Sequence, residues 1–182
     1  MALEHAILVA LSEQASTGYD LARRFDKSIG QFWTATHQQV YKVLGRMEAD
    51  GWVTGTVVPQ EGRPDKKVYE LTPDGRAELR SWLSEPAAPE TTRSELAVKI
   101  RGMSNGSVKD VLAEVRRHRD RHVERLDAYE HNEKREFPDP SRLKGRKLHQ
   151  YLVLRGGIML ERNAVEWCDE ILTTLDPQRG SR

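Results

Sequence analysis

The sequence predicts a mainly α-helical protein with one small β-hairpin, built in two parts that meet near residue 85. Three observations predict this organisation. Apolar residues recur at the three- and four-residue spacing of helices through most of the 182-residue chain. Residues 52–58 and 67–71 instead alternate with the period of two that is typical of strands. A proline-rich break, EPAAPE at 85–90, separates the part with the hairpin from a part that is helical throughout.

Three helices are predicted before the hairpin. The first spans about residues 2–12, and the second spans about residues 19–28, with Tyr19 on its buried face. Residues 29–35 are predicted as a linker. The third helix begins at Thr36, because THQQ fits a capping box. In that motif the hydroxyl accepts a hydrogen bond from a backbone amide three residues on, and the glutamine side chain accepts one from the backbone amide of the threonine.

The third helix ends at a glycine and leads into the hairpin. Gly51 supplies the left-handed backbone that ends a helix. The polar stretch 59–66 contains a glycine and a proline, and it predicts the turn of the hairpin. Thr72, Pro73 and Asp74 then begin a fourth helix, since a capping side chain, an early proline and an early acid all favour a helix N-terminus. Three helices followed by a two-stranded hairpin is the order of a winged helix-turn-helix.

The chain after the proline-rich break predicts a short helix at 92–101 and long helices at 107–133 and 141–175. Two long amphipathic helices cannot cover both faces of each other. We therefore predict an antiparallel long-helix dimerisation domain, residues 91–176, that pairs with a second copy of the chain. The apolar residues predicted at this interface are Val115, Leu126, Leu148, Tyr151, Leu152, Ile158, Met159, Val165 and Leu172. The tail, residues 177–182, is predicted to be disordered.

Composition and charge limit the class of protein. The formal net charge is +1, with 10 basic and 11 acidic residues up to Ser84 and 19 and 17 after it. A DNA-binding surface would therefore have to be a local stripe, because neither half has a large basic excess. The single cysteine excludes an intramolecular disulfide. The N-terminus lacks the features of a signal peptide, and no apolar run approaches the roughly 20 residues that cross a membrane. These observations predict a cytoplasmic protein.

The outward face of the third helix carries side chains that suit DNA. Val40, Leu44 and Met47 recur on the face that packs inward, whereas Lys42 and Arg46 lie opposite. Lysine and arginine suit phosphates and guanine edges, and glutamine can pair with adenine. The residues predicted to bind DNA, from this helix and from the hairpin tip, are Thr36, Gln38, Gln39, Lys42, Arg46, Arg63, Lys66 and Lys67. The predicted domains are thus a DNA-binding winged helix over 1–84, a linker over 85–90 and the helical domain.

Three stretches of the chain resemble the PadR-like transcriptional regulators. They are ILVALSEQASTGYDLARRF at 7–25, QQVYKVLGRMEADGWV at 38–53 and GRPDKKVYELTPDGRAEL at 62–79. The likeness covers about residues 3–80, and the C-terminal half resembles the helical dimerisation domain of one branch of the family more loosely. The resemblance implies a homodimeric repressor that binds a double-stranded DNA operator. In some members a small molecule such as a phenolic acid releases the DNA.

The resemblance also implies roles for two residues. Tyr41 matches the tyrosine of the family's recognition helix, which is placed to hydrogen-bond a phosphate. Arg63 matches the arginine of the family's wing. One position departs from the pattern: Lys42 stands where many members carry proline after the Val-Tyr pair. The contacts that this turn makes in the DNA groove are therefore expected to differ.

Two other classes of protein remain open on the sequence. Winged helices also serve as protein–protein interaction modules, and a fold does not determine a function. A MarR-like regulator would also bind DNA, but it builds its dimer from both termini, whereas here nearly all the additional helix follows the hairpin. An enzyme is disfavoured, because the chain has no phosphate-binding loop, metal-ligand set or nucleophile elbow. No cofactor is predicted.

The segment RRHRDRHVER at 116–125 allows three interpretations. His118 and His122 lie four residues apart and could face one metal ion. The surrounding arginines would repel a cation, so we predict no metal site. The arginines could also form a second DNA-binding stripe, or the charged flanks of a packed helix, and we favour the last. Cys168 is predicted to be a buried core residue, because neighbouring acids raise a thiol pKa and disfavour a reactive thiolate. A redox sensor is the alternative.

Overall fold

The chain divides into two compact units, Met1–Pro89 and Glu90–Arg182. The computed structural model describes residues 2–25, 35–62, 64–87 and 93–175. Parts of several predicted segments lie outside the described residues: 26–28 of the second helix, 29–34 of the linker at 29–35, 88–90 of the linker at 85–90, the hairpin residue Arg63 and the tail at 177–182.

The first unit combines helices with a small antiparallel sheet. Its described elements are α1 (Ala2–Glu13), β1 (Ser16–Thr17), α2 (Gly18–Arg24), α3 (His37–Ala49), β2 (Val53–Val58), β3 (Lys66–Leu71) and α4 (Pro73–Leu83). The strand order is β1-β3-β2, with Ser16 opposite Tyr69 and Val53 opposite Leu71. The sequence predicts a two-stranded hairpin, whereas β1, between α1 and α2, adds a third strand to the sheet. We call the β2–β3 hairpin with its turn, residues 53–71, the wing.

The core of the first unit lies between α1, α2, α3 and the sheet. Ile7, Leu21 and Leu44 have no solvent exposure and pack in one apolar cluster. The prediction that Tyr19 is buried is wrong: its side chain is 55% exposed, and Gly18 beside it is buried instead. The helix begins at this glycine, so the tyrosine occupies the first turn and points away from the core.

The junction between α3 and β2 is fixed by backbone hydrogen bonds. Gly51 has a φ of 74°, the left-handed conformation that glycine adopts most easily. The Trp52 amide donates to the Met47 carbonyl at 2.8 Å, and the Gly51 amide donates to the Glu48 carbonyl at 3.1 Å. This pair of bonds is a Schellman motif. The wing therefore leaves the end of α3 in one defined direction.

Helix α4 is held against α1 and the start of β2. His5 Nε2 lies 3.1 Å from Glu78 Oε1, and the His5 ring stacks on Trp82 with a centroid distance of 4.5 Å. Gly75 lies so close to the backbone of Trp52 that a Cβ there would meet the carbonyl oxygen at 2.0 Å. This close approach explains why glycine occupies a helical position.

The second unit is an antiparallel pair of long helices with a short helix packed on it. Its described helices are α5 (Glu95–Arg101), α6 (Val108–Glu136) and α7 (Gly145–Thr174), with short 3-10 helices at Met103–Asn105 and Pro140–Arg142. The predicted start of the last helix at residue 141 is therefore four residues early. None of the described helices is long and apolar enough to cross a membrane.

Ion pairs between α6 and α7 establish their antiparallel direction. Arg119 of α6 pairs with Asp169 of α7. Farther along α6, Glu130 pairs with Arg162 at 2.7 Å. Beyond it, Glu133 pairs with Arg155, which is still nearer the start of α7, at 3.2 Å. As the residue numbers on α6 increase, the numbers of their partners on α7 decrease, so the two helices run in opposite directions.

Candidate nucleic-acid interface

The N-terminus of α3 is closed by the predicted capping box. Thr36 Oγ1 accepts a hydrogen bond from the Gln39 amide at 3.2 Å, and Gln39 Oε1 accepts one from the Thr36 amide at 2.8 Å. The Thr36 hydroxyl also donates to the same Gln39 oxygen at 3.2 Å. Both side chains were predicted to bind DNA, and in the structure they cap the N-terminus of α3. Reading a base with Gln39 would require this cap to open.

The outward face of α3 lies opposite its buried side chains. Val40, Leu44 and Met47 are fully buried. Gln38 and Lys42 are exposed one turn apart on the other side of the helix. Among the described residues, Lys42 has no ion-pair or hydrogen-bond partner. Its ammonium group is therefore available for an anionic ligand.

Tyr41 stands at the edge of this face and packs across the start of α2. Its side chain is 49% exposed. A Cβ at Gly18 would lie 2.5 Å from Tyr41 Cε1, so the ring rests on the glycine backbone. The ring is thus fixed by packing on one side while the rest of the side chain meets solvent. This geometry suits a phenol that donates to a phosphate.

Arg46 is held by an acidic residue of α1. Its guanidinium forms an ion pair with Glu4, whose side chain is nearly buried. The predicted DNA contact at Arg46 is therefore also a link between α1 and α3. A contact with DNA would compete with this pair, which was not visible in the sequence because the two residues lie 42 positions apart.

Sequence reasoning missed a small group of polar side chains at the start of α2. The rings of Tyr19 and His37 lie edge to face with centroids 6.1 Å apart, and the Arg23 guanidinium lies 5.8 Å from the centre of the Tyr19 ring. The tyrosine was assigned to the core, which hid the group. A helix beginning at Gly18 was the signal that could have shown it, since that boundary turns Tyr19 outward.

The wing carries two described lysines with different surroundings. Lys66 is exposed and has no ion-pair partner among the described residues. Lys67 Nζ lies 2.7 Å from Glu48 Oε2 of α3. The hydrogen bond to Glu48 raises the pKa of Lys67, and burial opposes this shift only in part. Lys67 is therefore positively charged, but its charge is directed toward α3.

The second unit contains two apolar clusters formed by its own helices. Leu96 and Cys168 pack with Val115 in one cluster, and Phe137 and Leu154 pack with Ile158 in the other. The residues predicted at a dimer interface divide as follows: Val115 and Ile158 are fully buried, Leu126, Leu148, Tyr151, Val165 and Leu172 are partly buried, and Leu152 and Met159 are exposed.

This division changes which residues can meet a partner. Val115 and Ile158 are covered by their own chain, so neither has a surface to offer a second copy. The exposed apolar side chains of α7 form what we call the α7 stripe: Leu152, Val153, Met159, Leu160 and Trp167. They share one face at helical spacing. Three of the five were not predicted.

Gly156 lies within this face of α7, and apart from its chain neighbours and the backbone of its own helix no described residue comes within 4 Å of a Cβ placed there. The stripe is therefore apolar, and at Gly156 no side chain projects from it. Single exposed apolar residues are ordinary, whereas a contiguous patch of this kind marks an interaction surface.

A cavity of about 310 Å³ lies among α5, α6 and α7. Its lining includes His118, Trp167 and Cys168. Burial lowers the pKa of the His118 imidazole, and nearby Arg121 lowers it further, while Glu114 opposes both. The cavity thus presents a largely neutral imidazole beside an indole ring.

The two histidines of the 116–125 segment and the thiol of Cys168 all line this cavity. His118 Nε2 is 3.2 Å from a Glu114 carboxylate oxygen, and His122 Nδ1 contacts Glu161. The described residues contain no group of three or more histidine, cysteine or acidic side chains placed to hold a metal ion. Cys168 is 1% exposed, and burial raises the pKa of its thiol.

The first unit is a winged helix-turn-helix: α2 and α3 form the helical pair, and β2 and β3 form the wing. The helical second unit completes the architecture of a winged-helix transcriptional regulator. Residues 7–81 match the model of the transcriptional regulator PadR-like family, and residues 92–176 match the model described as virulence activator alpha C-term. The chain belongs to the PadR-like family of transcriptional regulators.

Relatives support this membership along the whole chain. The chain is 52% identical to the probable transcriptional regulator Rv1176c of Mycobacterium tuberculosis, over 98% of this chain and 100% of the relative. It is 30% identical to the negative transcriptional regulator PadR of Bacillus subtilis, over 96% of this chain and 97% of that protein.

Solved structures show the same fold. The structure of B. subtilis PadR in complex with operator DNA aligns with a TM-score of 0.84 and 28% identity, over 97% of this chain and all of that one. The same protein in complex with p-coumaric acid aligns at 0.78, with 28% identity, over 97% and 99% of the two chains. The virulence activator AphA of Vibrio cholerae aligns at 0.79 and 31% identity, over 97% and 99%.

Proposed function

We propose that this protein is a transcriptional repressor that binds operator DNA through α3 and the wing. The main support for the proposal is Lys42, which is exposed on the face of α3 opposite the core and has no ion-pair or hydrogen-bond partner among the described residues. It belongs to a fold that aligns with a relative solved on operator DNA. That relative is named a negative regulator, which supports repression rather than activation.

The proposed contacts follow from the side chains of the interface. The first turns of α3 enter the major groove, where Gln38 and Lys42 face base edges and phosphates. Tyr41 donates its phenol to a phosphate at the groove edge. Lys66 contacts the DNA backbone beside the groove. Arg63 contacts it too, since it matches the arginine of the family's wing. These contacts allow a chain of net charge +1 to bind DNA, because they depend on individual cations and not on the net charge.

Capture of sheared genomic DNA by the purified protein tests the proposal. Wild-type protein is expected to enrich a small set of fragments, and Lys42→Ala is expected to lose that enrichment. Lys109→Ala is the matched control, since Lys109 is an exposed lysine of the second unit. Equal enrichment by all three proteins would place DNA recognition elsewhere.

The competing function is a winged-helix module that docks another protein. The half-exposed Tyr41 and Tyr19 are the observation in its favour, since aromatic side chains are enriched at protein interfaces. Such a module would retain a partner protein and would give no enrichment of specific DNA fragments. The same capture experiment, read for protein as well as DNA, separates the two.

We propose that the active form is a homodimer joined along the α7 stripe. A second copy of the same helix would cover Leu152, Met159 and Leu160, and Gly156 would let the helices approach closely. A two-fold dimer presents two copies of α3 to successive major grooves about 34 Å apart. Joining two reading heads raises avidity by roughly 10²–10⁴, which one short recognition helix needs.

We also propose that a small organic effector releases the protein from DNA. A relative was solved with p-coumaric acid, and the cavity among α5, α6 and α7 has the size of a small-molecule pocket. Titration of p-coumaric acid into the protein–DNA complex tests this role. Release of DNA by the acid supports it, and unchanged binding at saturating acid would exclude that compound as the effector.

As a repressor the protein acts where the chromosome lies, in the cytoplasm, and it performs no catalysis. Family membership supports this assignment, since these relatives are named regulators. The proposed function involves no cofactor.

A further inference from the structure

Glu48 of α3 and Lys67 of β3 form an ion pair that joins the recognition helix to the wing. Lys67 Nζ lies 2.7 Å from Glu48 Oε2 and 5.3 Å from the centre of the Tyr69 ring. Both members of the pair are partly exposed. The lysine therefore contacts an acid and an aromatic face of its own chain.

A glycine makes this pairing possible. In the wing, Lys67 is opposite Val57 and Tyr69 is opposite Gly55. The lysine side chain runs diagonally over β2 at Gly55. A Cβ at Gly55 would meet Lys67 Cε at 2.1 Å and Glu48 Oε1 at 2.9 Å. Any larger residue would thus occupy the path by which the lysine reaches the acid.

The surrounding junction makes the geometry of the pair consequential. Glu48 lies in the last turn of α3, and its carbonyl accepts one of the two hydrogen bonds of the Schellman motif from which the wing leaves the helix. The backbone sets the direction at the base of the wing, and the ion pair acts farther out on the hairpin. Two separated points of attachment fix an orientation that one point would leave free to rotate.

We propose that Glu48, Gly55 and Lys67 form a strap that fixes the angle between the wing and the recognition helix, so that both reach DNA together. Lys67 is a positioning residue, which acts through Glu48 rather than through a phosphate. The inference rests on the proposed DNA-binding function. It replaces the prediction that Lys67 contacts DNA directly, and it gives Glu48 a favourable role in a surface that binds an anion.

A direct contact between Lys67 and a DNA phosphate is the alternative to the strap. If Lys67 left Glu48 to bind a phosphate, Glu48 would compete with DNA for the lysine. Filling the space at Gly55 would then free the lysine and leave affinity unchanged or higher. Gly55→Ala alters no charge, so it separates the two arrangements cleanly. Glu48→Gln would also break the ion pair, but it would remove a negative charge from the DNA-binding surface at the same time.

The first experiment measures DNA affinity by fluorescence anisotropy on a captured fragment, at several salt concentrations. Gly55→Ala and Lys67→Ala are each expected to weaken binding about two- to fivefold, the scale of a partly exposed ion pair. Combining them is expected to add no further loss. The slope of log affinity against log salt is expected to stay unchanged. Thr54→Ala, at an exposed neighbouring position of β2, is the control and is expected to bind as wild type.

Two results would overturn the strap. A slope that falls by about 0.9 in Lys67→Ala would show that the lysine neutralises a phosphate. A further loss in the double variant would show that Gly55→Ala damages the strand by itself. Thermal melts of each variant exclude unfolding as the cause of lost affinity.

A second measurement requires no DNA and therefore separates failure of the strap from failure of the proposed function. Spin labels at Gln38→Cys and Glu61→Cys, in labelled protein diluted with an excess of unlabelled protein, report the distance from α3 to the wing tip within one chain. The distance distribution is expected to broaden in Gly55→Ala and in Lys67→Ala. Unchanged distributions would overturn the strap even if the protein binds DNA, and broadened ones would support it even if it does not.

Discussion

Lys42 and Arg46 lie one turn apart on α3 and differ in what holds them. Lys42 has no ion-pair partner among the described residues, whereas Arg46 pairs with Glu4. Lys42→Ala is expected to reduce the salt slope of DNA binding by about one and to leave the melting temperature unchanged. Arg46→Ala is expected to lower the free energy of unfolding as well, by less than about 1 kcal/mol because the guanidinium is more than half exposed.

Anisotropy and thermal melts on the two variants check this contrast. If Lys42→Ala lowered the melting temperature as much as Arg46→Ala, the lysine would have a structural role that its exposure does not reveal. Lys109→Ala again serves as the control for the loss of one positive charge.

Cys168 is predicted to be inert in the folded protein. Burial raises the pKa of its thiol, the Asp169 carboxylate raises it further, and Arg119 offsets this only in part. The reactive thiolate is therefore scarce near neutral pH, and the sulfur is also inaccessible. A thiol reagent is expected to modify the native protein far more slowly than the urea-unfolded chain. Rapid modification of the native protein would instead support the redox-sensor alternative.

Local motifs could be predicted from the sequence at the residue scale, but long-range pairings could not. The capping box of Thr36 and Gln39 depends on four consecutive residues, so the sequence contains the whole signal. The pair of Glu48 and Lys67 depends on strand register and on the missing side chain of Gly55, which only the folded wing brings together. Exposed lysines therefore looked equivalent in the sequence and are not equivalent in the structure.

Elements with a clear period were predicted closely, and short elements were not. The strands of the wing lie within one residue of their predicted bounds, and helix α4 begins at Pro73, where its capping residues predict. Strand β1 has two residues, too few for alternation to be detected. The start of α7 was predicted early, because residues 140–142 form a 3-10 turn with helix-like spacing before Gly145 takes a positive φ.

Two helical glycines provide a matched test of packing between elements. Gly75→Ala in α4 is expected to destabilise the protein by about 1–3 kcal/mol, because the new Cβ would press on the rigid Trp52 carbonyl. Gly45→Ala in α3 has open space and is expected to stabilise the helix by up to about 1 kcal/mol. Denaturant unfolding measures both. Equal effects of the two substitutions would contradict the close approach of α4 to β2.

At the scale of the whole molecule, helical periodicity locates apolar faces without saying what covers them. Val115 and Leu160 satisfy the same spacing rule, yet one is buried by its own chain and the other is exposed. Only the packing of α5 and α6 on α7 separates the two cases. The sequence could therefore predict apolar faces on the helical unit, but it could not separate residues that their own chain buries, such as Val115, from exposed ones such as Leu160.

Leu160 and Leu83 provide a matched test of the dimer, since each is a leucine with 65% exposure. Leu160→Asp is expected to yield folded monomers at micromolar concentration, because a charge in the α7 stripe opposes burial against a second copy. Leu83→Asp, outside the stripe, is expected to remain a dimer. Sedimentation velocity measures both, and a wild-type monomer would remove the basis for the paired reading heads.

An anisotropy titration of a captured operator fragment, over a range of salt concentrations, tests whether two copies of α3 read DNA. We expect saturation at two chains per site and an affinity that falls steeply with salt, because phosphate contacts release counterions. We also expect Lys42→Ala to flatten that slope. Binding that does not depend on salt, or that saturates at one chain per site, would show that paired copies of α3 do not read the operator.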